Sequence, residues 1–230
     1  QTAEYGYEGH KIIAMRRIGG EDSASDPPET ASLSSVAIMP VQSDGKDRLL
    51  LLMELGQPEF SVAKYMALGL FNVSDTPTLV DVADVGFDQI TYFQDPDRLS
   101  LGDGKDMVLT SSQHFNSSQG YVTTALILIR NDKLQLIDTV FTFNDRFCGF
   151  DRDETPEFHA GDRDGRTYSD IVATVTEVTN ATNESCEGEN PPKPGKRTFT
   201  VTYRWDEAAS AFKPDSDAFD VLAKENEERF

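Results

Sequence analysis

The sequence predicts an all-β protein made of repeated antiparallel meander units with a short C-terminal helix. Asp-Gly pairs begin at residues 44, 103 and 164, so the spacings between them are 59 and 61 residues. Each pair stands shortly before an apolar run of strand length. Residues 67–71 also match residues 125–129 at an offset of 58, so the repeat extends beyond the turn itself. The predicted units are residues 44–102, 103–161 and 162–220, preceded by N-terminal strands within residues 1–43, all in a single β domain.

Length and charge restrict what this domain binds. A chain of 230 residues is long enough to bury a substantial core, as one large β domain or as two small ones. Lys and Arg total 21 against 40 Asp and Glu, which gives a net charge of −19. A surface this acidic repels phosphate backbones and anionic lipids, so nucleic acid and bare membrane are not expected partners. A protein or glycan ligand is expected, and cationic partners and divalent metals are favoured; the alternative is that the charge only keeps the protein soluble.

The N-terminal region predicts two strands that flank a loop. Residues 11–18 form an apolar stretch of strand length that ends at a pair of glycines. Residues 21–30 are acidic, polar and contain two prolines, which predicts a flexible loop. Residues 35–41 form a second apolar stretch, in which Pro40 argues against a central hydrogen-bonded position.

The first two units share a plan of three strands separated by turns. In the first unit the apolar runs are residues 49–53, 65–71 and 79–86. In the second unit the runs are residues 106–110, 121–129 and 134–140, and residues 111–120 are predicted to be a polar loop. The continuous apolar run at 49–53 indicates a strand that is covered on both faces.

The third unit contains the clearest strand pattern of the chain. In residues 197–205, apolar side chains at the odd positions from 199 alternate with Thr and Arg, which predicts a half-exposed strand. Residues 176–196 are predicted to form a long surface loop before that strand. Residues 217–230 predict a short amphipathic helix with Asp217 as its N-cap, and a frayed acidic terminus is the alternative.

The segment 161–171 carries the most specific motif. It begins with an Asp-x-Asp-Gly turn and leads into an alternating apolar run. Ca²⁺ prefers hard oxygen ligands, and Asp at alternate positions of a tight turn directs carboxylates at one point. The spacing predicts calcium ligands at Asp162, Asp164 and Asp170, with Arg166 contributing only its backbone carbonyl oxygen.

This segment resembles the calcium-loop repeats of FG-GAP and VCBS-type β-propellers, whose pattern is Asp-x-Asp-Gly-x-Gly-x-x-Asp-Leu. The resemblance implies a bound calcium ion and a loop that leads into the first strand of a four-stranded blade. We therefore expect a small propeller or propeller-like arc, with a two-domain β-sandwich as the alternative. The chain departs from the pattern where Arg166 replaces an acidic ligand and Thr167 replaces a glycine, so a self-satisfied Asp turn is the alternative to calcium. The shorter turns at 44–47 and 103–106 contain a Lys and are expected to be hydrogen-bonded turns.

The two cysteines, Cys148 and Cys186, bear on where the protein is located. Neither has metal-ligand spacing, so zinc is not expected. A disulfide between them would close a loop of 38 residues and contribute about 3–4 kcal/mol, whereas two unrelated buried thiols are the alternative. The chain opens without Met and without a basic-then-apolar leader, as expected of a mature exported form, and four Asn-x-Ser/Thr sequons fit exposed loops. These features predict a secreted or periplasmic protein.

A non-enzymatic binding module outside the cytoplasm is the function that these patterns favour, with calcium as a candidate stabilising ion. The polar segment 114–121, flanked by aromatic residues, is a candidate interaction loop, and an ordinary inter-strand loop is the alternative. Exported bacterial lysozyme inhibitors insert a loop into the cleft of a cationic enzyme, and this segment is similar in style and charge. An inhibitor or receptor of a cationic protein such as a lysozyme is therefore an alternative function.

A hydrolase with an acidic site near residues 151–164 is the other alternative. Four acidic residues and one histidine crowd into residues 151–159, at positions 151, 153, 154, 157 and 159. Acid–base catalysis needs carboxylates of divergent pKa, and a pair of them flanks the sugar in a glycosidase. In so acidic a chain this cluster needs no function, and no nucleophile motif or phosphate-binding Gly loop accompanies it.

Overall fold

A computed structural model describes residues 15–19, 33–55, 65–183 and 191–229 as a chain made mostly of strands. The elements in chain order are β1 (Leu33–Ser43), β2 (Lys46–Leu55), β3 (Tyr65–Asn72), β4 (Thr78–Asp84), β5 (Ile90–Ser100), β6 (Asp106–Phe115), β7 (Gln119–Arg130), β8 (Lys133–Phe147), β9 (Phe150–Ala160), β10 (Ile171–Ala181), β11 (Gly195–Asp206), β12 (Ala211–Pro214) and α1 (Ala218–Glu227). The predicted all-β class and the short C-terminal helix are confirmed. Half of the predicted strand at 11–18 (residues 11–14) and the whole of the acidic loop at 21–30 lie outside the described residues.

The strands belong to two sheets. The four-stranded sheet has the order β1-β2-β3-β4, and the eight-stranded sheet has the order β12-β11-β10-β9-β8-β7-β6-β5. In the described part of the chain these sheets form neither a closed barrel nor a propeller, so the propeller expected from the family resemblance is not found. The reason lies in the pairing of β5: the predicted unit 44–102 contributes β2, β3 and β4 to one sheet and β5 to the other. A propeller blade keeps its four strands in one sheet.

The Asp-Gly pairs form turns, as the sequence predicts. In the β1–β2 hairpin, Asp44 and Gly45 have φ values of 50° and 72°, the left-handed conformation favoured in two-residue hairpin turns. Asp44 Oδ2 accepts a hydrogen bond from Asn131 N at 2.8 Å, which is the hydrogen-bonded role expected for this turn. Asp164 and Gly165 take the same left-handed conformation, with φ values of 48° and 76°.

The first compact unit, residues 1–112 and 124–139, is organised around one apolar cluster. The cluster joins side chains of the four-stranded sheet to side chains of β6 and β7. Leu50 and Leu68 on the one side, and Ile127 on the other, have no exposed surface. Their burial is the main source of stability in this unit, because apolar surface removed from water contributes about 25 cal/mol per Å².

The edges of the four-stranded sheet agree with two sequence predictions. Pro40 lies in β1, which is an edge strand of the sheet. Proline is tolerated on an edge strand because one side of the strand has no neighbour to which an N–H would donate. At the opposite edge, Arg17 forms a single parallel bridge with Asp84 of β4. Ile18 N donates a hydrogen bond to the Asp84 carbonyl oxygen at 2.9 Å. The described end of the predicted N-terminal strand therefore protects this edge from pairing with another chain.

The second compact unit comprises residues 113–123 and 140–230. Its strand β11 shows the predicted alternation, because the side chains of Val201, Tyr203 and Trp205 are buried while those between them are exposed or half-buried. In α1 the buried positions include Phe219 and Leu222, as its amphipathic pattern predicts. Asp217 occupies the N-cap position without a side-chain hydrogen bond to the first turn. Among the described residues, no helix is both long and apolar enough to cross a membrane.

The predicted polar loop at 111–120 is wrong, since β6 continues to Phe115 and β7 begins at Gln119. Ser111 and Ser112 are buried, and both side chains find partners inside the sheet. Ser111 Oγ lies 2.8 Å from Thr124 Oγ1, and Ser112 Oγ lies 2.7 Å from Thr91 Oγ1. Polar side chains that hydrogen-bond across strands do not interrupt a sheet, which is why composition alone misplaced this loop.

Candidate functional site

An arginine side chain holds together the loop that was predicted to bind calcium. Arg166 Nη1 donates a hydrogen bond to Asp170 Oδ1 at 2.5 Å, and Arg166 Nη2 lies 3.5 Å from Asp164 Oδ2. The Asp162 carbonyl oxygen accepts a hydrogen bond from Asp170 N at 2.9 Å and from Arg166 Nη2 at 3.4 Å. The guanidinium group, and not only the backbone of Arg166, therefore faces the groups predicted to surround a cation.

A second arginine adds positive charge to the same carboxylate. Arg204 Nε lies 3.5 Å from Asp170 Oδ2, and Asp170 itself is buried. In the part of the chain that the structure describes, no group of three or more His, Cys, Asp or Glu side chains is arranged to hold a metal ion. Calcium binding by Asp162, Asp164 and Asp170 stays a prediction, and any calcium ion there would compete with Arg166.

Tyr168 anchors this loop on the neighbouring strands, which the sequence did not indicate. Its ring is buried, with its centroid 4.5 Å from that of Trp205 and 5.7 Å from that of Phe212. Thr167 N donates a hydrogen bond to Glu207 Oε1 at 3.0 Å. Aromatic packing of this kind fixes the loop without a metal ion.

The acidic segment 151–159 forms strand β9, so its acidic side chains are divided between two faces. Along the strand, Glu154 and Phe158 are buried, whereas Asp153, Glu157 and His159 point to the exposed face. Successive side chains of a strand alternate between faces, which separates Glu154 from the other acids.

The predicted disulfide lies partly outside the described residues. Cys148 is in the turn between β8 and β9. Cys186 falls in the range 184–190, which the structure does not describe. The Cys148–Cys186 bond therefore stays a prediction.

A cavity of about 260 Å³ in the second unit, which we call the hairpin pocket, brings together parts of two β-hairpins. Its lining comes from residues 115–120 of the β6–β7 turn, residues 144–146 at the end of β8, and residues 151–153 at the start of β9. Arg146 N donates a hydrogen bond to the Ser118 carbonyl oxygen at 2.8 Å, which holds the turn against β8. The candidate interaction loop therefore forms one wall of the hairpin pocket.

The part of the lining that comes from β8 includes Asp145, a buried carboxylate whose hydrogen-bonding capacity is only partly used. Asp145 is 5% exposed, and its Oδ2 lies 3.5 Å from Arg152 Nη1, its partner in the β8–β9 register. Asp145 Oδ1 and Asp151 Oδ1 are both buried without a hydrogen-bond partner, and the register places these two side chains on opposite faces of the β8–β9 pair. Burial raises the pKa of Asp145, although Arg152 acts in the opposite direction. A buried polar atom left without a partner costs about 1–3 kcal/mol, so its retention needs an explanation.

The β6–β7 turn that lines the pocket is fixed by its own hydrogen bonds. Asn116 Oδ1 accepts hydrogen bonds from Ser118 N at 2.9 Å and from Gln119 N at 2.7 Å. Asn116 N in turn donates to the Gln119 carbonyl oxygen at 2.9 Å. An Asx turn of this type pre-organises the wall of the pocket, so binding there orders little additional backbone.

An exposed aromatic ring stands at the edge of the same turn. Phe115 is 54% exposed, and its ring lies directly over Gly120, where a Cβ atom would overlap it. His114 and Tyr121, the next pair along the hairpin, stack with their ring centroids 5.6 Å apart and their planes at 8°. The ring of Phe115 is thus exposed and packs over the backbone at Gly120.

A network of buried charges, remote in sequence, attaches the C-terminal helix to the sheet of the second unit. Glu154 Oε2 accepts hydrogen bonds from Phe143 N at 2.9 Å and from Asn226 Nδ2 at 2.8 Å. Arg229 Nη1 lies 3.2 Å from Glu154 Oε1 and 2.8 Å from Glu177 Oε2. This network encloses Glu154, whose side chain has no exposed surface.

Two glutamates of this network have pKa values displaced in opposite directions. Burial raises the pKa of Glu154 to about 7, against the lowering effect of its hydrogen bonds and of Arg229. Burial would also raise the pKa of Glu177, but hydrogen bonds from Arg197 and Arg229 lower it below its usual value. Arg197 supplies both Nε and Nη2 to this carboxylate, at 2.7 and 2.8 Å. Glu154 is therefore a structural carboxylic acid in this network rather than part of the hairpin pocket.

Comparisons with protein-family models, with curated proteins and with solved structures give no match for this chain. Function is therefore inferred from the geometry of the site. Of the residues in that site, the sequence indicated the loop at 114–121 and the acids at 151 and 153. It did not indicate Asp145, because a single Asp within an alternating strand pattern carries no local signal of burial.

Proposed function

We propose that the protein is a non-enzymatic binding module, exported from the cytoplasm, that uses the hairpin pocket to bind a cationic protein. The observation that supports this most strongly is the pairing of two features in one small cavity. An exposed ring, Phe115, is held in a fixed position over Gly120. Asp151, which also lines the cavity, has one carboxylate oxygen that is buried without a hydrogen-bond partner. Fixed aromatic anchors beside desolvated charged groups are typical of interaction hot spots.

The charge of the chain favours a cationic partner. The net charge of −19 attracts cationic proteins over distances comparable to the Debye length, about 8–10 Å at physiological salt, and raises their association rate. The surface charge directs the encounter, and the hairpin pocket selects the orientation, since complementarity at close range determines register. An inhibitor or receptor of a cationic enzyme such as a lysozyme is one member of this class.

The other ligand and activity expected from the sequence receive less support. Calcium at the loop 161–170 is proposed only as a stabilising ion, because Arg166 already lies beside Asp170. No observation favours a hydrolase over a binding module. Glu154, the carboxyl group whose pKa is raised to about 7, is enclosed by the helix network and does not line the hairpin pocket.

The proposal is tested by measuring binding to immobilised proteins of known charge. We expect binding to a cationic lysozyme and to cytochrome c but not to serum albumin, with affinity that falls as salt is raised. Asp151→Asn should weaken the binding about tenfold, as expected for loss of a charged hydrogen-bond acceptor. The matched control is Asp75→Asn, which makes the same charge change at an exposed residue of the first unit. Equal binding to albumin, or equal losses in both variants, would contradict the proposal.

A further inference from the structure

We infer that the segment 218–229, which we call the C-terminal strap, is a pH-dependent device that is closed on the sheet of the second unit in acid and opens as the pH rises through neutrality. The strap consists of α1 and the two residues that follow it. Three structural features support this behaviour: a hinge before the helix, a small apolar contact beneath it, and a buried charge cluster under its last turn.

The hinge lies between β12 and α1, so the strap can leave the sheet without breaking a strand. Asp215 is still fixed to β11, because its N–H donates to the Thr202 carbonyl oxygen at 3.0 Å and its Oδ1 accepts from Thr202 N at 2.9 Å. Ser216 and Asp217 follow and are both exposed. Asp217, at the N-cap position, makes no side-chain hydrogen bond to the first turn. The strap therefore begins at a point where few contacts oppose its movement.

The apolar contact between the strap and the sheet is small. The buried residues of α1 are Phe219, Leu222 and Asn226, and its other side chains are exposed or half-buried. Two apolar side chains thus supply the hydrophobic part of the contact. A helix of this length is marginal in water on its own, so the strap depends on its contacts with the sheet to remain helical.

The charge cluster lies under the last turn of the strap. Glu154, Glu177 and Arg197 are direct neighbours across β9, β10 and β11. From the strap, Glu225 Oε2 accepts a hydrogen bond from Arg197 Nη2 at 2.8 Å, and Arg229 Nη1 lies within 3.2 Å of both glutamates of the row. Among the described residues, four carboxyl groups and three guanidinium groups face one another in this cluster: Asp145, Glu154, Glu177, Glu225, Arg152, Arg197 and Arg229.

The charge balance of this cluster is neutral only when one carboxyl group carries a proton. A net charge in a buried cluster is costly, so the closed strap favours the protonated form of one acid. Glu154 is the best placed, because its side chain has no exposed surface, and its burial raises its pKa to about 7. Burial also raises the pKa of Asp145, although Arg152 and Arg229 act against it. Glu177 has a lowered pKa and stays ionised.

The direction of the pH dependence follows from the burial of Glu154. When the strap opens, water reaches this carboxyl group, and its pKa returns toward the ordinary value of 4.5. The closed state therefore binds the proton more tightly than the open state. The preference for closure is complete below pH 4.5 and is lost as the pH rises through about 7. With these two pKa values, the equilibrium constant for opening rises about 70-fold between about pH 5 and pH 8.

The test is amide hydrogen exchange of the full chain from pH 5 to pH 8. Protection factors, which remove the intrinsic pH dependence of exchange, are compared between residues 222–228 of the strap and residues 171–175 of the central strand β10. We expect the strap to be less protected than β10 at every pH, because it opens without global unfolding. We also expect the strap protection factors to fall by about 70-fold over this range.

Two variants assign the effect to one carboxyl group. Glu154→Gln keeps the side chain neutral at every pH, so the strap protection factors should change by less than about threefold between pH 5 and pH 8. The matched control is Glu157→Gln, which makes the same change on the exposed face of β9 and should retain the full decrease. The comparison of strap and β10 in the wild-type chain needs no substitution, so it tests the strap independently of how well Glu154→Gln folds.

A pH-dependent loss of protection in the strap, through an opening of lower free energy than that of β10, supports the device. Equal protection of the strap and β10 at every pH would overturn it, because the helix would then leave only on global unfolding. Strap protection that is constant or that rises with pH would overturn it as well. A decrease that persists in Glu154→Gln would show that another group controls the strap. None of these measurements involves the hairpin pocket, so the strap and the proposed function are tested separately.

Discussion

Arg152 and Asp145 face each other in the β8–β9 pair, with Arg152 Nη1 3.5 Å from Asp145 Oδ2, yet Asp145 Oδ1 is left without a hydrogen-bond partner. Both side chains are at least nine-tenths buried. A buried pair of this kind contributes little net stability, because desolvation offsets most of the Coulomb attraction. The pair extends the charge network of Glu177, whose Oε2 lies 3.9 Å from Arg152 Nε.

Replacement of Val201 by Ala should destabilise the fold, whereas replacement of Thr200 should not. Val201 is buried opposite Ala173, so Val201→Ala leaves a cavity and should lower the free energy of unfolding by about 1–3 kcal/mol. Thr200 is exposed and contacts the hydroxyl of Thr174, so Thr200→Ala should cost less than about 0.5 kcal/mol. Urea denaturation of both variants measures this difference, and equal effects would show that the face assignment of β11 is incorrect.

Replacement of Glu154 by Gln should change how stability depends on pH. The pKa of Glu154 is raised from 4.5 in the unfolded chain to about 7 in the fold. The protonated acid is therefore the form that the fold favours, and the stability it contributes is present below pH 4.5 and is lost as pH rises through about 7. As pH rises from 4.5 to about 7 and above, the free energy of unfolding of Glu154→Gln should increase relative to that of wild type by up to roughly 3 kcal/mol, since one pKa unit corresponds to about 1.4 kcal/mol.

The measurement is the difference in thermal stability between variant and wild type from pH 4.5 to 8. Titrating groups that do not interact with Glu154 are common to both proteins and cancel, and the lowered pKa of Glu177 keeps that carboxylate ionised over this range. Glu157→Gln is the matched control, because it changes an exposed glutamate of the same strand. A difference that stays constant with pH, or that falls as pH rises, would refute a raised pKa at Glu154.

Removal of the Arg166 guanidinium should increase the response to calcium. In Arg166→Gln the carboxylates of Asp164 and Asp170 lose a neighbouring positive charge, so the variant should lose on the order of 1 kcal/mol without calcium. Free calcium at 100 times its Kd would stabilise the fold by about 2.7 kcal/mol. We expect a larger calcium-induced rise in Tm for this variant than for wild type or for Lys196→Gln, an exposed control with the same charge change. A larger rise in wild type would show that Arg166 does not compete with the ion.

Local patterns predicted the parts of the fold that depend on neighbouring residues. The alternation in β11, the amphipathic face of α1 and the Asp-Gly turns are all encoded within a few positions of sequence. The placement of β5 in the eight-stranded sheet is not encoded locally, because sheet order depends on contacts between distant residues. A regular spacing of turns is compatible with either arrangement, so the repeat did not identify the sheets.

In the candidate site, too, the sequence did not predict which distant side chains come into contact. The motif at 162–170 indicated negative charge at one point, but not that Arg166 would turn toward it. Glu154 contacts Arg229, a residue 75 positions away, and nothing near either residue signals that contact. The loop at 114–121 was indicated by its composition, whereas the rest of the pocket lining comes from β8 and β9 and depends on strand pairing.

Binding affinity of two alanine variants for a cationic lysozyme, or for cytochrome c if that protein binds more tightly, tests the central claim most directly. Phe115 and Leu79 have nearly equal exposure, 54% and 53%, but only Phe115 lines the hairpin pocket. If this pocket is the contact surface, Phe115→Ala should weaken binding at least fivefold, which is the loss expected when a residue contributes more than about 1 kcal/mol to binding. Leu79→Ala should leave the affinity within twofold of wild type. Equal effects of the two substitutions, or a larger loss for Leu79→Ala, would contradict the assignment of the hairpin pocket as the binding site.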